Sequence, residues 1–395
     1  LLKTPVALPL PDPSEQAYSD TLKTMLHERI AHSGGWISFA DYMETVLYTP
    51  ETGYYSGGAA KFGTAGDFVT APEISPLFGQ ALARQIAPIL SAVNQGSILE
   101  FGAGSGKLAV DLLCALEELN NLPQHYYILD LSADLQQRQR AMIEQHIPHL
   151  ASRVSWLSAL PEQFEGLILA NEVLDAMPVH LVAWQNGNIA ERGVIWKDQG
   201  PVWQDQPLAA GELLDVARQL PPADQFSYPL YISEISLTNR HFICSLAMLL
   251  QRGAILLVDY GFGQNEYYHP QRHQGTLMCH YRHHAHDDPF FLPGLQDITS
   301  HVDFSTIART ALDSGLQLAG YTTQAHFLIN CGITDLLART PADQPGSYLP
   351  LVSQVQRLVS PAEMGELFKV MVLSRDIDID AASCGFTRGD LRRLL

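Results

Sequence analysis

Seven residues, Glu100-Phe-Gly-Ala-Gly-Ser-Gly106, constrain this chain more than any other stretch. They join a short apolar run, Ser97–Phe101, to a helical pattern from Lys107 to Leu119. Strand, glycine loop, helix is the arrangement of a nucleotide site. The helix start leaves N–H groups free, and the missing side chains let a ligand reach the backbone. The pattern then repeats. Short apolar strands are expected at His125–Asp130, Arg153–Leu157, Gly166–Ala170 and Gly253–Asp259, with helices at Asp134–Gln145 and 239–250 between them. That alternation predicts right-handed crossovers and a mainly parallel, doubly wound α/β sheet. Two late strands, Leu316–Thr322 and Phe368–Ser374, are expected to close it as an antiparallel pair, with a helical excursion over about 325–365.

The loop selects among cofactors. No G-x-x-x-x-G-K-[ST] is present, so the chain has no P-loop. Lys107 stands where a dinucleotide loop needs its third glycine, and the spacing is Gly102, Gly104, Gly106. Glu100, just before the turn, would repel a pyrophosphate. S-adenosylmethionine has no phosphate and carries an ammonium and a sulfonium, which a carboxylate favours. Asp130 ends the second strand, where such folds place an acid on the ribose hydroxyls. The expected cofactor contacts here are Glu100, Gly102, Ala103, Gly104, Gly106, Asp130 and Leu131, with Asn171 as a neutral hydrogen-bonding residue after the fourth strand.

Around this core the chain is less regular. Residues 1–17 read as a flexible, Pro-rich tail, 18–95 as a helical and Gly-rich region, and 376–395 as a C-terminal tail. Residues 18–48 read as helical, with Gly34-Gly35 ending the first run and a second helix over Phe39–Leu47; a long loop covers 53–73, and Ser75-Pro76 starts another helix. Residues 180–205 carry an Asn186-Gly187 turn between half-apolar runs, the signature of a β-hairpin. Insertions are expected at about 180–235 and 262–303.

Composition excludes several classes. Asp and Glu number 42 against 24 Lys and Arg, a net charge of −18, which argues against a nucleic-acid binder; such a surface keeps a protein soluble and would also attract a basic partner. No apolar run is long enough to cross a bilayer. Cysteines 114, 244, 279, 331 and 384 are odd in number and widely spaced, which suits a reducing compartment rather than a disulfide framework. No secretory or transit segment is evident, so a bacterial cytoplasm is expected, with the mitochondrial matrix as the alternative. A homodimer is compatible with the sequence.

Several strings, in this order, resemble the MidA-like methyltransferase family, which includes the mitochondrial complex I assembly methyltransferase. They are GYYSGG at 53–58, GDFVTAPEISPLFG at 66–79, EFGAGSG at 100–106, ANEVLDAMPVH at 170–180, GTLMCHYRHHAHDDPF at 275–290 and GLQDITSHVDF at 294–304. The resemblance runs from about 18 to 375 and implies a class I methyltransferase, a Rossmann-like seven-stranded sheet with an N-terminal helical extension and helical lid insertions. It implies that the loop carrying Asp67 and Phe68 covers the cofactor, and that the acceptor is an arginine of a respiratory-complex subunit. Asp130 stands where the family commonly has Glu.

An arginine acceptor makes a demand of its own. Its planar, charged guanidinium must be held by carboxylates. Glu172 and Asp175, just after the fourth strand, are the expected grip, with Glu234 a third candidate. Asp297 and His301 are expected to line the acceptor channel. Six histidines, 269, 273, 280, 283, 284 and 286, have no closed zinc spacing, so no metal is expected. Two other readings stay open at this level: a cofactor-binding assembly chaperone with little catalysis, and a small-molecule methyltransferase.

Overall fold

The computed structural model describes residues 8–57, 69–94, 96–198, 200–220, 229–379 and 384–395. These residues form two compact units. One takes the described parts of Leu1–Val69, Ala176–Thr238 and Tyr268–Ser300; the other takes Thr70–Asp175, Asn239–Tyr267 and His301–Leu395.

The second unit holds the glycine loop. Its sheet contains β1 (Ser97–Phe101), β2 (Tyr126–Leu129), β3 (Val154–Leu157), β4 (Phe164–Asn171), β5 (Leu250–Phe262), β6 (Gln317–Thr323) and β7 (Phe368–Arg375). They lie in the order β3-β2-β1-β4-β5-β7-β6, and an eighth strand of two residues, Val302–Asp303, pairs with the end of β5. β1 to β5 run parallel to one another, whereas β7 is antiparallel to both β5 and β6. β4 and β5 are buried almost throughout, which explains their unbroken apolar runs.

Period-two alternation decides which residues face which helices. Leu99, Phe101, Ile168, Ala170, Ile255 and Leu257 join Ile243, Leu246, Phe304 and Ile307 in one core, beneath the helices Leu237–Leu249 and Phe304–Asp313. Each of the Leu, Ile and Phe side chains among them contributes about 1.5–3 kcal/mol by leaving water. The helix Pro76–Ala92 packs on Lys107–Glu118 and against β4 and β5. Chain order reverses between β1 and β4, so their carboxyl ends border the crevice where doubly wound sheets bind ligands.

The excursion between β6 and β7 is helical, at Gln324–Asn330, Ile333–Leu337 and Pro345–Val359. The final residues are less of a tail than expected. Leu391 donates its N–H to the Tyr321 carbonyl at 2.7 Å, and Leu391 and Leu395 pack on the core.

In the first unit, the first helix is Pro13–His32, so it starts before residue 18 and consumes part of the expected tail. Asp12 caps it, accepting from Ser14 and Glu15 N–H groups while the Glu15 side chain accepts from the Asp12 N–H. The expected hairpin forms, pairing His180–Gln185 with Asn188–Lys197 around Asn186-Gly187. It is the centre of a larger sheet, because Tyr231–Ile235, Gly200–Pro207 and Ile37–Ser38 also pair with it.

The insertion after β5 is not mainly helical, and this corrects the expectation of helical lid insertions. Beyond the short turns Gln264–Tyr267 and Pro270–Arg272 it builds a three-stranded antiparallel sheet from Met278–Tyr281, His284–His286 and Asp297–Thr299. The turn in this sheet is Arg282-His283, with φ of 49° and 64°. Left-handed turns of this kind are normally announced by Asn-Gly or Asp-Gly. Here two bulky residues adopt them, so the usual signal is missing.

Candidate functional site

The glycine loop turns left-handed three times. Gly102, Gly104 and Gly106 have φ of 59°, 53° and 86°. A Cβ on Gly106 would press on Gln139, 3.1 Å from its Cα, so this glycine lets the helix Ala133–His146 approach. A Cβ on Gly104 would meet nothing within 4 Å. That position therefore faces open space, which a ligand can use to reach the backbone. Ala103 is buried. The Ser105 hydroxyl donates to the Glu73 carboxylate, which ties the short Ala71–Ile74 helix to the loop.

Asp130 follows β2. Its Oδ1 accepts the Ser132 N–H at 2.9 Å and its Oδ2 accepts Gln139 Nε2 at 2.9 Å. Burial raises its pKa. Each carboxylate oxygen has two lone pairs, so both retain capacity for a ribose hydroxyl. Gln139, fully buried, also donates to the Gly104 carbonyl at 3.0 Å and accepts from Trp156 Nε1 at 2.8 Å. One amide thus braces the glycine loop against the acid. Nothing in the sequence marks it, because it sits mid-helix and its partners come from three other segments. Leu131, beside Asp130, is 75% exposed, an apolar surface next to polar groups as a nucleoside base requires.

Glu100 lies on β1 and is buried, accepting the Tyr126 hydroxyl at 2.8 Å. Burial, with the charge of Asp130, pushes its pKa up to about 8 against the opposing hydrogen bond from Tyr126. The carboxyl is therefore mostly protonated near neutrality. The simple picture of a bare charge waiting beside an ammonium does not describe it.

A second group of acids gathers after β4. Asn171 ends that strand, and its Nδ2 donates to Glu172 Oε1 at 3.3 Å. Glu172 has φ of 53°, uncommon for a residue with a side chain and the sort of strain functional turns hold. Its Oε1 also accepts the Ala71 N–H at 3.3 Å. Asp175 is buried. Asp259, near the end of β5, joins them. Its Oδ2 accepts the N–H groups of Leu174 at 2.9 Å and Asp175 at 3.3 Å, and its Oδ1 accepts that of Tyr260 at 2.9 Å. Burial first, then the charges of Asp175 and Glu172, holds Asp259 well above the usual carboxylate range. Asp259 was not among the expected site residues. Its signal was present in the sequence: like Asp130, it closes an apolar strand.

The other expected residues have contacts of their own. Glu234 belongs to the first unit, buried, where it accepts the N–H groups of Thr276 at 2.7 Å and Leu277 at 2.9 Å and the Thr276 hydroxyl at 3.1 Å. That geometry braces a turn. Asp297, also in the first unit, accepts the Tyr55 hydroxyl at 2.8 Å. His301 is in the second, with its ring edge-on to Tyr260 and Phe262. Asp67 and Phe68 lie outside the described residues.

A β3-β2-β1-β4-β5-β7-β6 sheet with antiparallel β7, a left-handed glycine loop after β1 and an acid after β2 define a class I S-adenosylmethionine-dependent methyltransferase. Comparison with known proteins agrees. Residues 81–322 match the model of an S-adenosyl-L-methionine-dependent methyltransferase family. The chain is 30% identical to the mitochondrial protein arginine methyltransferase NDUFAF7 of Mus musculus, over 91% of this chain and 86% of that protein. It is 26% identical to the Homo sapiens protein of the same name, over 92% and 85%. A crystal structure from Burkholderia thailandensis bound to S-adenosyl-homocysteine is 49% identical and superimposes with a TM-score of 0.93, covering 98% of this chain and all of that one. The chain belongs to this MidA-like methyltransferase family, and its cofactor is S-adenosylmethionine.

Proposed function

We propose that this enzyme methylates an arginine side chain of a protein partner, with Glu172 and Asp175 holding the guanidinium. The observation that carries the reading is the convergence of Glu172 and Asp175, after β4, on Asp259, near the end of β5, whose carboxylate accepts the Asp175 N–H and whose pKa the first two raise. A guanidinium is planar, offers five donors and stays charged, so neighbouring carboxylates are the groups that can hold it. The names of the mouse and human relatives support the same acceptor.

Bound S-adenosylmethionine supplies an electrophilic methyl group on a good leaving group. The protein's own task is orientation and exclusion of water. Gly102, Ala103, Gly104, Gly106, Asp130 and Leu131 are assigned to the cofactor, with Glu100 acting from beneath the loop. Asn171 and the Ala71 N–H fix the Glu172 carboxylate. Asp259 holds the backbone of Leu174 and Asp175. Glu234 is read as a brace for the 276–277 turn and not as part of the grip. The 49% identity to a Burkholderia thailandensis protein, against 30% to the mouse one, supports a bacterial rather than a mitochondrial setting.

The test is transfer of labelled methyl from S-adenosylmethionine to arginine-bearing proteins, read as methylarginine after acid hydrolysis. Glu172→Gln and Asp175→Asn should each lower kcat/KM by about 100-fold, roughly 2.7 kcal/mol of transition-state stabilisation, while S-adenosyl-homocysteine still binds. Label confined to small molecules or nucleic acid would reject the reading.

A further inference from the structure

Two of the five cysteines meet. Cys331 and Cys384 stand 53 residues apart in the chain, yet their Sγ atoms lie 3.5 Å apart in a hydrogen bond. Both backbones are pinned around them. Cys331 caps the C-terminus of the helix Gln324–Asn330. Its carbonyl accepts Arg84 Nη1 at 3.0 Å. Cys384 opens the short turn Cys384–Phe386, whose Gly385 N–H donates to Gln85 Oε1 at 2.9 Å. Asn330 Nδ2 clips the same turn by donating to the carbonyls of Gly385 at 3.0 Å and Arg388 at 2.8 Å. Phe327 and Phe386 pack edge to face with centroids 5.6 Å apart. The two thiols are thus held by a set of bonds that does not depend on them.

We infer that Cys331 and Cys384 form a redox-active dithiol that closes to a disulfide when the protein meets a peroxide.

The two thiols have different roles. The hydrogen bond from Cys331 holds the Cys384 thiol below its ordinary range, and the same bond, with burial, holds Cys331 well above. Cys384 is also the more accessible, being partly exposed where Cys331 is buried. Cys384 is therefore the attacking sulfur and Cys331 the resolving one. The Cys384 thiolate attacks one peroxide oxygen and the O–O bond breaks. The product is a sulfenic acid, and hydroxide leaves to become water. The Cys331 sulfur then attacks the Cys384 sulfur; the S–S bond forms, the S–O bond breaks, and the hydroxyl leaves with the Cys331 proton as water. Hydrogen peroxide takes both electrons, and two waters result. The bridge would tie the C-terminal segment to the helical excursion and, through Arg84 and Gln85, to the helix Pro76–Ala92.

The experiment uses the full, reduced chain and hydrogen peroxide. Two of the five thiols should be lost, and mass spectrometry of an unreduced digest should show the Cys331 peptide joined to the Cys384 peptide. Dithiothreitol should restore both thiols. Cys384 accumulating as an unjoined sulfinic acid, or joined to Cys114, Cys244 or Cys279, would overturn the inference. In Cys384→Ser, Cys331 should still be alkylated when the treated chain is unfolded in denaturant; its oxidation at the wild-type rate would overturn the assigned roles. Should that variant fail to fold, the wild-type digest decides alone.

Discussion

At the scale of single residues, the site depends on backbone conformation and on protons. Gly104 has φ of 53° with open space beyond its missing Cβ. Gly104→Val puts a branched side chain into that space and costs about 1–2 kcal/mol in a left-handed conformation. Binding of S-adenosyl-homocysteine should weaken by at least about 100-fold by calorimetry, with the circular dichroism spectrum retained. Glu100 makes a different prediction. Its pKa is about 8 in the folded protein against 4.5 for the free group. Between those values the folded chain keeps a proton that the unfolded chain has lost. Stability from this group is therefore complete at low pH and falls as pH rises through that window, by at most ~1.4 kcal/mol per pH unit. Glu100→Gln should flatten that decline, and in urea titrations the variant should gain on the wild type as pH rises from about 4.5 to about 8 and hold a constant difference beyond it. Parallel curves would show that Glu100 does not carry the proton assigned to it.

At the scale of elements, the sheet is held where its strands begin. Ser97 of β1, Gly166 of β4 and Gly253 of β5 are register partners. A Cβ on Gly253 would lie 1.9 Å from the Gly166 carbonyl oxygen, and φ there is 137°. The obstacle is backbone, so no rotamer change relieves it. Gly253→Ala should destabilise the protein by roughly 3 kcal/mol or more, the upper range for overpacking. Gly346→Ala, where a Cβ meets nothing within 4 Å, should not. Urea midpoints of the two variants make the comparison.

At the scale of the whole molecule, the net charge of −18 bears on encounter rather than on fold. If the acceptor is a basic protein segment, kcat/KM should fall as salt rises from about 0.05 to 0.5 M, because the Debye length shrinks over that range. Once the complex is saturated kcat should hold. Steady-state kinetics in sodium chloride separates the two; a salt-independent kcat/KM would remove charge from the recognition of the partner.

The sequence by itself determined the central sheet. Apolar runs of four to eight residues, helices between them and three spaced glycines are local signals, because strand burial and left-handed turns act on neighbouring residues. The Asn186-Gly187 hairpin was legible for the same reason. What only the tertiary structure decided are relations between distant segments. Gln139 braces Gly104 and Asp130, the Asp259 carboxyl receives the turn after β4, and Cys331 meets Cys384. The proton on Glu100 belongs here too, since burial, which no window of sequence reports, sets it. Arg282-His283 marks the boundary between the two kinds of knowledge. Its turn is as local as any, but cross-strand pairing holds it in place of residue preference, so it could be seen only once the strands had met.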